Sequence, residues 1–490
     1  MRIAVEGCAH GCLEEIYSTV GEIEKRHNYK VDLLLCCGDF QSVRNLEDLK
    51  TMACPDKFKA TGSFYKYYSG ELKAPIMTIF IGGNHEASNF LQELPYGGWV
   101  APNIYFLGKA GVINVGGIRI GGLSGIYKPR DYTSGHHEHV PYSEGSKRSV
   151  YHIRNLEVFR LKQLRDSPPD IMMSHDWPCG ITDHGNVEQL MRFKPFLRKD
   201  IEENALGSPP CMEILQLLMP KYWFSAHLHA KFSALVPHEE SDKETKFLAL
   251  DKCLPRRRFL QIIDLPSNDQ GPLKISQDLA WLSILKSTND LLSVSSGRVH
   301  MPGPGYSGRF DYRPTPEELE EIRELFKEGF EIRESEFEPS TKVTFADQKI
   351  ENLYGTSMPS VPLKNSQTDH FVAKLGIHDP VQSALDQNKG GRIRLSDLRD
   401  EMNETSCSTR NEDEIVLSDD EEEEEKSDSK NDSSITQNAS KEFIEEDSSF
   451  FIDTTPSTPL LPSGTGDEPH SKKRLIKRRN ISIYQAEDNS

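Results

Sequence analysis

The strongest constraint on the fold is a series of short apolar runs, each followed by polar side chains. Five such runs occur in the first half of the chain, at residues 2–6, 33–37, 76–81, 170–174 and 222–226. Continuous apolar runs of this length are typical of strands buried on both faces of a sheet. Open α/β sheets bind ligands at the carboxyl edge of their strands, so we expect the polar residues that follow these runs to lie together. The runs alternate with helical patterns such as 13–27, which predicts an α/β fold.

The polar residues after these runs are of types that bind metals. They are Cys8, His10, Asp39, Asn84, His175, His227 and His229. A thiolate beside an imidazole suits Zn(II) or Fe(II) better than Mg(II) or Ca(II). Cys8 and His10 alone would also fit a buried cysteine beside an ordinary histidine, but seven donors at five strand ends indicate two metals.

Asp39 is the natural bridging ligand of such a pair. A carboxylate has two oxygen atoms with lone pairs for two cations, which an imidazole cannot offer. Asn84 would add a neutral carbonyl oxygen, which keeps the net charge of the site low enough to admit an anionic phosphate.

The order of the motifs resembles that of the calcineurin-like metallophosphoesterases. These motifs are Cys-x-His, Gly-Asp, Gly-Asn-His-Glu, a single His and His-x-His. Members of this family hydrolyse phosphate esters with two metals on a double β-sandwich flanked by helices. Within the family, Cys8 in place of the first aspartate and the segments MRIAVEGCAHG, SHDWPCGI and SAHLHAKF resemble the enzymes that debranch RNA lariats. Ser42 departs from the acidic or amide residue of many relatives, which weakens a comparison with phosphoprotein phosphatases.

The resemblance implies a ligand set and a substrate. We assign Cys8, His10, Asp39 and His229 to one metal, and Asp39, Asn84, His175 and His227 to the other. Fe(II) and Zn(II) are the expected metals, with Mn(II) able to substitute. The substrate would be branched intron lariat RNA, cleaved at its 2′-5′ phosphodiester bond to give linear RNA for intron turnover.

His85 is the candidate general acid that protonates the leaving oxygen. Its alternative role is to orient Asn84 or a phosphate. Two other functions stay open at this point: another phosphodiesterase or phosphatase activity on the same fold, and a scaffold without metals.

Residues 124–154 form a long insertion with cations among aromatic side chains, which suits contact with RNA phosphates and splayed bases. The predicted RNA-binding residues are Tyr127, Lys128, Arg130, Tyr132, His136, His137, Lys147 and Arg148. The alternatives are a mobile solvated loop, or a third metal site at His136, His137 and His139.

The chain is predicted to contain a catalytic domain at 1–255, a smaller C-terminal debranching-enzyme domain at 256–345 and a tail at 364–490. The second domain should contain strands at 259–265 and 273–285. It should also contain a helix that begins at Thr315-Pro316-Glu317-Glu318 and packs on the core.

The net charge of −18 comes mostly from the tail. Residues 401–470 contain 21 acidic and 4 basic residues, a contribution of −17, which leaves about −1 for the rest. This composition predicts disorder, and Ser418 before an acidic run is a candidate phosphorylation site. Basic clusters at 472–474 and 477–479 favour nuclear import over RNA binding, and thus predict a nuclear protein that can also shuttle to the cytoplasm. Nine scattered cysteines indicate a reducing compartment, and no signal peptide or membrane contact is expected.

Overall fold

The predicted strands are present in the structure, a computed structural model that describes residues 1–239, 241–266, 271, 273–343 and 355–390. The strands are β1 Arg2–Glu6, β2 Leu33–Cys36, β3 Met77–Phe80, β4 Gly98–Ala101, β5 Ile104–Phe106, β6 Ala110–Val115, β7 Ile118–Leu123, β8 Ile171–Ser174, β9 Tyr222–Ser225, β10 Phe232–Pro237, β11 Glu244–Ala249, β12 Leu260–Asp264 and β13 Ile275–Gln277.

Helices connect and cover these strands. They are α1 Leu13–His27, α2 Leu46–Thr51, α3 Phe64–Tyr68, α4 Ser88–Leu91, α5 Pro129–Tyr132, α6 Ser146–Ser149, α7 Asn155–Lys162, α8 Val187–Phe193, α9 Arg198–Glu202, α10 Pro209–Leu218, α11 Leu279–Ser287, α12 Pro316–Leu325, α13 Ser366–Leu375 and α14 Pro380–Gly390. Short 3-10 helices occur at Asp56–Phe58, Gln163–Asp166, Ile181–His184, Pro195–Leu197, Asn289–Leu291 and Glu334–Glu336. Among the helices of these described residues, none combines the length and the apolarity that crossing a membrane requires.

In the described part of the chain the strands form two mixed sheets. Their orders are β12-β1-β2-β3-β5-β4 and β10-β11-β9-β8-β7-β6-β13. β1, β2, β3 and β5 are parallel in the first sheet, as are β7, β8, β9 and β11 in the second. The sheets face each other, since a Cβ atom on Gly122 in β7 would lie 2.6 Å from Ile81, which follows β3. This architecture confirms the predicted double β-sandwich.

The outer face of each sheet is covered by helices. The apolar spacing of α1 predicts one buried stripe, and Leu13, Ile16 and Val20 bury that stripe against Ala4 and Leu34 of the first sheet. Side chains of α7, α10 and α11 pack on the second sheet in a separate apolar cluster. The helices therefore leave the carboxyl ends of the parallel strands free to form a site.

The C-terminal part confirms two predicted elements and contradicts part of a third. The strand predicted at 259–265 is present as β12. Thr315 and Glu318 form the expected capping box of α12, which buries Ile322 in the same cluster as Trp281. The strand predicted at 273–285 is wrong beyond Gln277. The Asp278 side chain accepts the backbone N–H of Trp281, so the apolar run that follows begins α11 instead.

The disorder predicted from residue 364 is also wrong as far as residue 390. Asn365 caps α13 and Gly376 ends it in the left-handed conformation, and Leu375 is fully buried. The Gln367 amide pairs with the backbone N–H and carbonyl of Trp99 in β4. The prediction of disorder used the average composition of the tail, which does not reveal local features such as the cap at Asn365 and the helix end at Gly376. Residues 391–490, with Ser418 and the basic clusters, lie outside the described residues.

Candidate metal centre

Four of the predicted donors converge at the carboxyl edge of the sheets. Cys8, His10, Asp39 and His229 offer ligand atoms that all lie within 4.8 Å of one another. The Nε2 atoms of His10 and His229 are 3.1 Å apart, and His10 Nε2 lies 3.6 Å from Asp39 Oδ2. Two imidazole nitrogens bound to one tetrahedral cation at about 2.0–2.1 Å would be about 3.4 Å apart. The spacing therefore fits a shared cation.

The remaining donors form a second group on the other side of Asp39. His175 Nε2 lies 3.1 Å from Asn84 Oδ1 and 3.4 Å from Asp39 Oδ1. The ring of His227 lies 5.0 Å from that of His175, centroid to centroid. Oδ1 of Asp39 thus faces one group while Oδ2 faces the other, as a bridging carboxylate requires.

Burial lowers the pKa values of His10, His227 and His229, which favours the neutral form that metal ligands must have. Burial lowers the pKa of His10 to about 4 and that of His227 to about 3, although the Asp39 carboxylate partly opposes both shifts. The Nδ1–H of His175 donates to the Cys37 carbonyl at 2.8 Å, which directs the lone pair of Nε2 into the site. His229 Nδ1 is buried without a hydrogen-bond partner in the described residues.

Cys8 needs a cation to ionise. Its thiol is fully buried, and burial together with the nearby Asp39 raises its pKa well above the usual value. Metal binding displaces the thiol proton, so Cys8 would be a thiolate only when the metal is bound. The backbone N–H of His227 donates to the sulfur at 3.2 Å and links this ligand to the second group.

The backbone of the centre is strained. Positive φ angles occur at four donors, His10 at 44°, Asp39 at 48°, His227 at 64° and His229 at 47°. Such angles are uncommon outside glycine, cost about 1–3 kcal/mol each and concentrate at functional sites. Two glycines also permit close approach, since a Cβ atom on Gly38 would lie 2.2 Å from His175 Nδ1, and one on Gly83 would lie 2.2 Å from Asp39 Oδ1.

Two supporting residues received no role from the sequence. The buried carboxylate of Glu86 accepts the backbone N–H groups of Phe40, Gln41 and Gly83 at 2.8–2.9 Å. It thereby joins the loops that carry Asp39 and Asn84. The sequence feature that could have indicated this role is the position of Glu86 in the Gly-Asn-His-Glu motif. Burial and the Asp39 charge raise the pKa of Glu86 to about 8.

Gln41 supports the ligand His10, whereas Ser42 does not. Its Nε2 lies 3.2 Å from His10 Nδ1, whereas the Ser42 hydroxyl is buried without a hydrogen-bond partner in the described residues. When His10 Nε2 binds a cation, its Nδ1 carries the proton, and the Gln41 amide must then accept through Oε1.

His85 lies at the mouth of the centre. Its backbone N–H donates to Asp39 Oδ1 at 2.8 Å, and its half-buried ring lies 5.8 Å from that of His10. The imidazole is therefore anchored beside the ligands and accessible from outside, as a group that contacts a substrate must be.

Most of the predicted RNA-binding residues reach the surface, but His136 does not. Arg130 is exposed. Six further predicted residues are half-buried: Tyr127, Lys128, Tyr132, His137, Lys147 and Arg148. His136 is only 6% exposed, and its Nε2 contacts Glu157 at 2.9 Å. Its prediction as an RNA contact is therefore wrong, because the imidazole is occupied by a buried carboxylate.

Buried ion pairs hold the loop at 124–154 in place. Glu138 pairs with Arg154, and His152 contacts Asp131 at 2.6 Å. The Tyr127 N–H donates to Asp176, the residue after the ligand His175, so the loop is tied to the centre. His136, His137 and His139 contact different groups and do not form a third metal site.

Two family models match the chain along most of its described length. Residues 1–231 match the calcineurin-like phosphoesterase model. Residues 242–380 match the C-terminal domain of the lariat debranching enzyme. The second match includes α13, in agreement with its packing on the core.

Curated relatives agree with these matches. A lariat debranching enzyme of Drosophila melanogaster is 44% identical, and the alignment covers 100% of both chains. Lariat debranching enzyme A of Xenopus laevis is 52% identical over 77% of this chain and 71% of its own. A lariat debranching enzyme of Homo sapiens is 50% identical over 77% of this chain and 70% of its own.

Proposed function

This chain belongs to the lariat debranching enzyme family of calcineurin-like phosphoesterases, and from that premise we propose that it hydrolyses the branch-point bond of intron lariat RNA. The bond is the 2′-5′ phosphodiester, and its cleavage leaves a 2′-hydroxyl and a 5′-phosphate on linear RNA. The observation that carries the proposal is the position of Asp39, whose two oxygens face two separate groups of metal ligands.

The donor set favours Fe(II) and Zn(II) as the metals, with Mn(II) as a substitute. Cys8 would hold one cation with His10, Asp39 and His229, and a thiolate ligand is selective for borderline metals. When bound, two such cations would supply Lewis acidity toward the phosphoryl oxygens and would lower the pKa of a water molecule toward neutral pH.

Protein groups supply the remaining steps. Asp39 and Glu86 hold the two ligand loops at a fixed separation, which fixes the position of the scissile phosphate. The His85 imidazole would supply the proton that passes to the leaving 2′ oxygen, since the backbone N–H of His85 is anchored to Asp39 and the ring is accessible from outside.

The loop at 124–154 would contact the RNA around the branch. Lys128 and Arg130 offer cations to phosphates, and the rings of Tyr127 and Tyr132, 5.4 Å apart, offer surfaces for bases. His137, Lys147 and Arg148 are the further candidates of this loop.

We also propose that the protein acts in the nucleus and is imported through its basic clusters at 472–474 and 477–479. Import suits a substrate that arises by splicing. Deletion of 470–480 in a tagged chain should shift the protein to the cytoplasm, and unchanged nuclear residence would contradict this part of the proposal.

The proposed activity is tested by incubating purified protein with a branched RNA, a linear RNA and a phosphopeptide in parallel. We expect cleavage of the branched RNA alone, at a rate that follows metal content measured by elemental analysis. An Asp39→Asn variant should lose both metal and activity. Cleavage of the linear RNA or the phosphopeptide at a comparable rate would contradict the assignment.

A further inference from the structure

Two phenylalanines are unusually exposed on a segment that the proposed mechanism does not use. Phe193 is 71% exposed and Phe196 46% exposed, at the end of α8 and in the 3-10 helix that follows. The side chains of Arg192, Arg198 and Lys199 are exposed around them. We name these five residues the 192–199 surface. The segment from 192 to 199 contains no acidic residue.

The buried side of this segment belongs to the apolar cluster that also includes residues of the ligand-histidine loop. Leu190 and Leu197 belong to the same apolar cluster as Leu228, which lies between His227 and His229, and Ala230, which follows them. The 192–199 surface is therefore fixed to the same apolar core as the loop of the ligand histidines.

A second connection runs through Lys194 to the cysteine side of the centre. The Lys194 ammonium lies 5.8 Å from the Phe196 ring and acts electrostatically on Asp251. The Asp251 carbonyl accepts the backbone N–H of Cys8 at 3.2 Å. Beyond Asp251 the chain continues through Lys252, whose backbone forms a bridge with Cys8, and then through three arginines at 256–258.

The loop at 124–154 and Lys252, which follows Asp251, lie near different ligands. Lys128 of the loop interacts with His227, whereas Lys252 interacts with His10 and His229. A branched RNA has three strands that leave the branch nucleotide, and one loop does not account for all of them. Exposed aromatic rings among cations are the features that bind single strands, because bases stack on the rings and phosphates meet the cations.

We propose that the 192–199 surface binds one single-stranded arm of the branched RNA, with bases stacked on Phe193 and Phe196 and phosphates held by Arg192, Arg198 and Lys199. This inference rests on the proposed function. It assigns to the cysteine side of the centre a recognition surface separate from the loop at 124–154.

The test compares two substrates: a branch with only its three core nucleotides, and the same branch with extended single-stranded arms. In the double variant F193A/F196A, the ratio of kcat/KM for the extended over the minimal branch should fall about tenfold for each stacked base lost. Phe310→Ala is the matched control, because Phe310 is 43% exposed on a different segment. Melting temperature and metal content should match the wild type in both variants, since all three rings are exposed.

The cations are tested by salt dependence. In R192Q/K199Q, the slope of log kcat/KM against log salt for the extended branch should become shallower by about 1.4, since each single-strand phosphate contact contributes about 0.7. An unchanged substrate ratio in F193A/F196A, or an equal fall in Phe310→Ala, would overturn the inference while the proposed function stands. A wild-type protein that cleaves neither branch would instead overturn the proposed function.

Discussion

Cys8 gives the centre its chemical character. It is the one sulfur donor in a set otherwise made of imidazole, carboxylate and amide groups, and it is buried among them. A thiolate binds borderline cations more tightly than hard ones, and it is also the ligand most easily oxidised. With a metal bound through Cys8, one residue would couple the metal preference of the site to its sensitivity to oxidants.

Replacing Cys8 by Asp should lower the affinity for Zn(II) and Fe(II) relative to Mn(II), because a carboxylate oxygen is a harder ligand. Inactivation by hydrogen peroxide should slow as well. Elemental analysis after competitive metal loading and the half-life in peroxide measure the two effects. Cys179→Ser, which removes a half-exposed thiol outside the ligand set, should behave as the wild type. Unchanged metal preference and peroxide sensitivity in C8D would refute the thiolate role.

Replacing His85 by Ala should lower kcat on branched RNA by about 10² to 10⁴, with both metals retained. A nitrophenyl phosphodiester needs no proton on its leaving group, so the loss on that substrate should be much smaller. Steady-state kinetics on both substrates, with metal analysis of the same samples, make the measurement. Equal losses on the two substrates would show that His85 orients a ligand or phosphate instead.

At the scale of elements, the loop at 124–154 depends on buried charge pairs. Burial alone would raise the pKa of Glu138, but the Arg154 guanidinium, His137, the Ser149 hydroxyl and Lys109 together outweigh it, and the pKa falls to about 2. The ordinary value is about 4.3, so the ionised Glu138 stabilises the loop fully above that pH. This stabilisation is lost as the pH falls through about 2.

Hydrogen exchange in residues 124–154 should therefore accelerate in the wild type as the pH falls from about 4.3 toward 2, after correction for the intrinsic rate. In Glu138→Gln the loop should exchange faster already at neutral pH, and the acid-dependent part should shrink. Glu144→Gln is the control, since Glu144 is an exposed carboxylate of the same loop. Identical profiles for the two variants would show that the Glu138 pair does not hold the loop.

At the scale of the whole molecule, the segment at 355–390 is part of the folded body. Gln367 bonds to β4 across 268 residues of sequence, and Leu375 is buried in the cluster that also covers the second sheet. The stability of the catalytic core thus depends on residues far beyond the metal ligands.

Replacing Leu375 by Ala should lower the free energy of unfolding by about 2–5 kcal/mol, because it removes buried apolar atoms and leaves a cavity. Leu363→Ala removes the same side chain at a site that is 42% exposed, and it should change stability by no more than about 0.5 kcal/mol. Urea unfolding measures both. Equal effects would show that α13 does not stabilise the core.

Some of this could be predicted from the sequence because the signals are local. Apolar runs followed by polar residues predict buried strands with ligands at their carboxyl ends, and all seven predicted donors lie there. The spacing of apolar residues predicts α1 over the residues that form it, and Thr315 with Glu318 predicts the start of α12. Each signal operates within a few residues, so its outcome does not depend on the rest of the chain.

Tertiary structure alone decided how these pieces meet. The two oxygens of Asp39 face different imidazoles only after distant strands pack together. His136 is buried because Glu157 lies against it, and α13 is stable because β4 offers a free edge to Gln367. Burial and pairing are properties of residues brought together from far apart in the chain, and the free energy of each contact exists only once both partners are in place.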